Sequence, residues 1–252
     1  MDMIHGVLLD LEGVLYLGNY PLPGSREAIL SLRAAGIPMR FVTNSTRSTR
    51  SAIVNRLAGM GLDVPARYLF TPVVAARNYL IERKLNPYLL VHPDIYSEFA
   101  DLPREPPSAI LLGDAGGHFS YEALNTCFRL LLEGLPLLAM GANRHFREGD
   151  PLNLEMSALV AALEYAARME AVVLGKPSAD FFQAAVNSLG LQPQDVIMIG
   201  DDPEIDVCGA LASGLRGALV RTGKYRRGDE SKVEPLGGRV FDDLDAVVDY
   251  IL

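Results

Sequence analysis

The chain has no apolar run approaching the roughly 18 residues that a membrane-spanning helix requires, so no membrane partner is expected. Cysteine is nearly absent. Cys127 and Cys208 alone, both in apolar stretches and without CxxC spacing, argue against a zinc knuckle or a disulfide framework. Positive charge is in deficit: Lys plus Arg number 23 against 31 Asp plus Glu, a net charge of −8. That balance argues against non-specific nucleic-acid binding. The first residues are acidic at Asp2 and lack a basic region followed by an apolar one. No signal peptide is therefore expected, and the cytoplasm is the simplest compartment. Several motifs are missing too. Without GxxxxGK[ST] a P-loop nucleotidase is disfavoured, and without GxGxxG after a strand so is a dinucleotide enzyme. No H-x-x-x-H or G-x-S-x-G arrangement supports zinc or serine hydrolysis.

What is present is ordinary globular composition: 252 residues, 49% hydrophobic and 21% charged, enough for one large domain or two smaller ones. Short apolar runs alternate with amphipathic helical segments. Residues 4–9 read as a strand covered on both faces, because Val7, Leu8 and Leu9 are consecutive rather than alternating with polar residues. Residues 25–35 put Ala28, Ile29, Leu32 and Ala35 on one helical stripe, which Gly36 ends. A strand at 38–42 and a helix at 49–60 follow. In the middle of the chain, 89–91, 109–112 and 137–140 predict strands, while 120–133 and 156–168 predict helices. Residues 101–108, 113–118 and 141–151 read as loops. The last third returns to the first pattern, with strands at 171–174, 196–199 and 218–220 and helices at 179–189, 204–213 and 243–251. Such βα alternation with short connections predicts an α/β fold with a mostly parallel sheet.

Four polar segments each follow an apolar strand, where parallel α/β sheets place their ligands. The first, Asp10-Leu11-Glu12-Gly13, offers two carboxylates and a glycine for a sharp turn. Thr43-Asn44-Ser45 offers a hydroxyl, an amide and backbone N–H groups for an oxyanion, although these residues equally make turns. In Gly175-Lys176-Pro177 a lysine stands where it reaches a phosphate or offsets carboxylates, although most lysines are solvated. Gly200-Asp201-Asp202-Pro203-Glu204-Ile205-Asp206 sets four acids within six residues. Their mutual repulsion calls for a cation with oxygen ligands, while Asp202 also suits a helix cap ahead of Pro203. Together the four supply a nucleophile, a metal-binding cluster and positive charge, the inventory of Mg²⁺-assisted phosphoryl transfer.

In this order and at these strand ends, the segments resemble the haloacid dehalogenase (HAD) superfamily of phosphatases. With the large insertion between the second and third segments, the chain is similar to the type IIA, C2-capped subgroup. Within that subgroup it resembles the branch of phospholysine phosphohistidine inorganic pyrophosphate phosphatases and HAD-like domain-containing 2 proteins; Thr222-Gly223-Lys224-Tyr225-Arg226 adds to the likeness. The resemblance implies a Rossmann-like core from residues 1–76 and 173–252 and a smaller α/β C2-type cap from 77–172. It implies Asp10 as the nucleophile that forms an aspartyl-phosphate. Mg²⁺ would be held by Asp10, the backbone carbonyl of Glu12 and Asp201, with Asp206 and Asp202 around that shell. Thr43, Asn44 and Lys176 would hold the phosphate.

Glu12 stands where many superfamily phosphatases carry the Asp that serves as general acid and base. Glu is chemically competent, with a reference pKa near 4.3 against 3.9, but its extra methylene must still bring the carboxyl within roughly 2.6–3.2 Å of the proton. Two readings follow: a phosphatase using Glu12 in the acid/base role, or a weak or inactive Mg²⁺- and phosphate-binding protein. The expected substrate is a small phosphorylated metabolite, phosphoamidate or pyrophosphate, selected by the cap. Candidate selecting residues are His118 and Phe119, which equally seal the helix that follows, and Asn143, Arg144 and His145. The resemblance also implies a homodimer through the cap, which the apolar helices there leave open.

Overall fold

The computed structural model describes residues 3–142, 145–147 and 152–252. These form two compact units. The first comprises residues up to 43, 50–70 and 176–252; the second comprises 44–49 and 71–175.

The first unit is built on a six-stranded sheet in the order Arg239–Phe241, Arg216–Val220, Val196–Gly200, Gly6–Asp10, Met39–Val42 and Leu69–Phe70. Every neighbouring pair is parallel, so all carboxyl ends share one edge. The two central strands, Gly6–Asp10 and Val196–Gly200, are buried along their whole length. That explains their unbroken apolar text: both faces are covered, so no alternation is selected. Val7, Leu8 and Leu9 are fully buried, each contributing about 1.5–3 kcal/mol relative to exposure. On one face, Ser25–Ala34 lays Ala28, Ile29 and Leu32 into the core alongside Val247 and Val248 of Leu244–Ile251.

The second unit holds a four-stranded parallel sheet, ordered Val172–Val173, Leu137–Ala139, Ala109–Leu112 and Pro87–Leu90. The helices Tyr121–Leu132 and Ser157–Ala167 pack Cys127, Leu131, Val160 and Leu163 with Ile110, Leu112 and Leu137. Ser120 caps the first of these, accepting from the Ala123 N–H at 3.1 Å. The architecture is the expected α/β one: a Rossmann-like core with a mostly parallel sheet and an inserted smaller α/β domain of the C2-cap type.

Three local expectations are corrected. The stretch 141–151, read as a loop, contains the strand His145–Arg147, which pairs antiparallel with Leu152–Leu154; its glycine and proline content hid the short pairing. Residues 171–174, read with the last third, contribute Val172–Val173 to the sheet of the second unit instead. The helix expected over 204–213 opens as a π-turn at Pro203–Cys208 and becomes α-helical only at Gly209–Ala212. The structure also adds the helix Pro72–Glu82, whose start was written in Thr71-Pro72. Thr71 accepts from the Val74 N–H at 3.2 Å, and proline opens the first turn.

Candidate active site

The carboxyl edge of the six-stranded sheet gathers the acids of two of the sequence segments. Asp10 ends the strand Gly6–Asp10, and Asp201 follows directly on Val196–Gly200. Asp206 comes from the π-turn that begins two residues later. One oxygen from each of Asp10, Asp201 and Asp206 lies within 4.8 Å of the other two. All three residues are buried.

Lys176 is the counter-ion. Its Nζ donates to Asp10 Oδ1 and to Asp206 Oδ1, each at 2.6 Å, and the residue is only 2% exposed. Burial by itself lowers a lysine's pKa, but the two carboxylates outweigh it and hold the ammonium above its ordinary value. The carboxyls respond differently. Burial pushes Asp201 up to about 7, with Asp10 and Asp206 adding like-charge repulsion. Burial likewise pushes Asp206 up to about 6, although Lys176 opposes the shift.

Glycines make room for Asp201. Its Oδ2 accepts from the Lys224 N–H at 2.6 Å. A Cβ on Gly13 or on Gly223, both at positive φ, would collide with that same carboxylate. The Thr222 hydroxyl donates to the Gly13 carbonyl oxygen, closing the wall. A Cβ on Gly200 would strike the Asp206 side chain. The glycines of Glu12-Gly13, Gly200-Asp201 and Thr222-Gly223 therefore serve the packing of one carboxyl cluster.

Asp201 Oδ1 is buried without a hydrogen-bond partner among the described residues. An orphaned carboxylate oxygen beside two more carboxyls is the donor set of a hard divalent cation such as Mg²⁺. The residues present therefore fit the expected metal.

Asp202 caps the π-turn, accepting from Glu204 N–H at 3.1 Å and Ile205 N–H at 3.0 Å. Its own N–H donates to Asp206 Oδ2 at 3.2 Å, which fixes that carboxyl's orientation. Thr43 follows Val42, which lies in register with Asp10 on the neighbouring strand. In the second unit, Asn44 lies beside Gly175, the residue before Lys176: a Cβ there would meet Asn44 Oδ1 at 3.3 Å. The Glu12 side chain is exposed, and residue 12 forms a bridge to Tyr16.

Of the candidate selecting residues, His118 is exposed and Phe119 is half-buried on the wall of a cavity in the second unit. Asn143 and Arg144 lie outside the described residues, and His145 is described only in its backbone, as a strand residue. Sequence reasoning passed over Arg47 and Glu155. Arg47 Nε donates to the buried Asp114 Oδ2 at 2.6 Å, and Glu155 is itself buried. The one signal for Glu155 was a carboxylate set between Leu154 and Met156, where an apolar run leads into a helix.

Residues 7–102 match the haloacid dehalogenase-like hydrolase family, and residues 173–247 match a HAD-hydrolase-like family. Phospholysine phosphohistidine inorganic pyrophosphate phosphatase of Danio rerio is 42% identical over 258 residues, covering 100% of this chain and 96% of that protein. Haloacid dehalogenase-like hydrolase domain-containing protein 2 of Bos taurus is 39% identical over 249 residues, covering 99% and 96%. The 4-nitrophenylphosphatase of Thermotoga maritima has a similar fold, with a TM-score of 0.90 at 24% identity over 100% of this chain and 98% of that one. A glycerol phosphate phosphatase of Mycobacterium tuberculosis, solved in complex with magnesium, has a TM-score of 0.84 at 22% identity, covering 98% and 78%.

Proposed function

The chain belongs to the haloacid dehalogenase superfamily and is a phosphatase of its C2-capped kind; on that premise we propose that it hydrolyses a small phosphorylated metabolite, phosphoamidate or pyrophosphate through a phosphoryl group carried on Asp10. The observation that carries this reading is the buried Lys176–Asp10 pair beside the unsatisfied oxygen of Asp201. Lys176 holds the Asp10 carboxylate in one orientation and keeps its own charge beside the transferring oxygens.

Asp10 attacks phosphorus, and the bond from phosphorus to the leaving oxygen or nitrogen breaks. Glu12 gives that atom a proton. Water, deprotonated by Glu12, then cleaves the aspartyl-phosphate, releasing phosphate and restoring Asp10. Thr43 and Asn44 hold oxygens of the transferring phosphoryl group. Asp10, Asp201 and the carbonyl of Glu12 would ligate Mg²⁺, with Asp206 and Asp202 steadying them, and the ion would offset negative charge on the phosphoryl group. The side chain of Glu12 is exposed, as an acid that must meet a leaving group requires. We assign substrate selection to the second unit.

Phosphate release from p-nitrophenyl phosphate, phosphoamidates and pyrophosphate, measured with and without Mg²⁺, tests the reading. Asp10→Asn should abolish release. Glu12→Gln should slow it and let phosphoenzyme accumulate. Mg²⁺ and phosphate binding without release from any substrate would instead favour a binding protein, with Glu12 as the cause.

A further inference from the structure

The turn from Leu11 to Tyr16 closes on itself. The Leu11 carbonyl oxygen accepts from the Leu15 N–H at 2.8 Å and from the Tyr16 N–H at 3.3 Å. The Gly13 N–H donates to the Tyr16 carbonyl oxygen at 2.7 Å, and the Gly13 carbonyl oxygen takes the Thr222 hydroxyl. The Glu12 carbonyl oxygen accepts no hydrogen bond among the described residues. It is the group that the proposed function makes a ligand of Mg²⁺.

The direction of that carbonyl is set by its neighbours. It shares one rigid peptide plane with the Gly13 N–H, and in a trans peptide the two point opposite ways. The bond to Tyr16 therefore aims the Glu12 carbonyl away from Tyr16. Gly13 joins this plane to the next at φ 89°, and a glycine alone imposes little torsional preference. Thr222 removes the remaining freedom by holding the second plane through the Gly13 carbonyl.

The same loop holds Asp201. The Lys224 N–H donates to Asp201 Oδ2 at 2.6 Å, which leaves Oδ1 as the unpaired oxygen. A Cβ on Gly223 would strike the Gly13 Cα, so the loop lies directly against the turn. The loop is itself anchored on both sides. The Arg221 N–H donates to the Phe241 carbonyl oxygen at 2.9 Å, and the Tyr225 hydroxyl donates to Glu230 Oε1 at 2.7 Å. Glu12, Asp201 and Thr222 all belong to the first unit. One anchored loop thus fixes two oxygen donors that follow different strands.

We propose that Thr222 is a positioning residue of the metal site: its hydroxyl, by holding Gly13, fixes the Glu12 carbonyl relative to Asp201 and so selects a small cation with strict geometry. Mg²⁺ demands a near-ideal octahedron at about 2.0–2.1 Å, whereas Ca²⁺ accepts irregular shells at about 2.3–2.6 Å. This deepens the phosphatase reading and rests on its assignment of the Glu12 carbonyl as a ligand.

The test titrates Mg²⁺ and Ca²⁺ calorimetrically into the full chain as wild type, Thr222→Ala and Thr222→Ser. Thr222→Ala should bind Mg²⁺ about tenfold more weakly, the effect of losing a partner that orients a metal ligand, and Ca²⁺ less than about threefold more weakly. Thr222→Ser keeps the hydroxyl and should recover Mg²⁺ affinity to within about threefold of wild type. A loss of Mg²⁺ affinity under about threefold, an equal loss for both ions, or a Thr222→Ser variant as weak as Thr222→Ala would overturn the proposal. Should Thr222→Ala fail to fold, as judged by thermal melting, Thr222→Val takes its place. Turnover of p-nitrophenyl phosphate by the wild type separates the two ideas. Mg²⁺ binding without turnover defeats the phosphatase reading alone, whereas turnover with unchanged Mg²⁺ affinity in Thr222→Ala defeats only the role of Thr222. A wild type that binds no Mg²⁺ defeats both.

Discussion

Replacing Lys176 by methionine keeps most of the side-chain volume and removes the one cation that touches Asp10 and Asp206 among the described residues. Breaking a buried ion pair from one side costs about 3–5 kcal/mol, because the remaining charge is left in a poorly solvated place. Two carboxyls lose their partner here, and at 2% exposure of Lys176 water offers little replacement. With roughly 2–4 °C of Tm per kcal/mol for a chain of this size, the variant should melt about 6–20 °C lower at pH 8 in EDTA. The pH dependence has a definite sign. Asp201 and Asp206 are raised to about 7 and about 6, so their charged forms are disfavoured in the fold. Their contribution is best below the unfolded carboxyl value of about 3.9 and is lost as pH rises through 6 and 7. Without Lys176, whose charge and hydrogen bond oppose the rise at Asp206, that carboxyl holds its proton still more tightly. The gap between variant and wild type should therefore narrow towards pH 5. Paired thermal melts at pH 8 and pH 5 decide the matter. A Tm drop under about 3 °C at pH 8, or a wider gap at pH 5, would refute the picture of Lys176 as a buried counter-ion.

Mg²⁺ should raise the wild-type Tm more at pH 8 than at pH 5.5, because the metal competes with the protons that Asp201 and Asp206 bind up to about 7 and about 6; calorimetric scans across pH check this, and a pH-independent increment would contradict it. Gly13→Ala should destabilise the protein by about 1–3 kcal/mol through its left-handed backbone. It should also weaken Mg²⁺ binding, since the new methyl group collides with Asp201; a variant with unchanged Mg²⁺ affinity would remove Gly13 from the wall of the site.

The strand ends were legible because chemistry and fold coincide there. Asp10, Thr43 and Asp201 each follow an apolar run too short for most helices, and a parallel sheet puts such positions on one edge. Lys176 was legible only in company, since a single lysine usually lies in water and this one is buried. Gly223 could be read as part of a motif, but its contact with Asp201 joins positions 22 residues apart in sequence, and no local pattern shows that. The pairing of Val172–Val173 was lost because two residues carry no periodicity. Arg47 and Glu155 fell between the motifs, and only the tertiary fold brings them to one cavity.

The neighbours of Gly6–Asp10 have a consequence for how the chain is made. One side of this central strand pairs with Met39–Val42, which follows within a few dozen residues, but the other side waits for Val196–Gly200. A ribosome moving at about 5–20 residues per second needs roughly 6–26 s to add the 130 residues that separate position 70 from position 200. Throughout that interval one backbone edge of Gly6–Asp10 lacks its final partner, and Val7, Leu8 and Leu9 lack part of their cover. The nascent chain thus carries an open, apolar strand edge of the kind that chaperones bind and aggregates recruit. Most of the inserted unit, 71–175, emerges during the same interval and can collapse on its own sheet first, so the order of synthesis delays the carboxyl cluster of Asp10, Asp201 and Asp206 until the last third of the chain arrives.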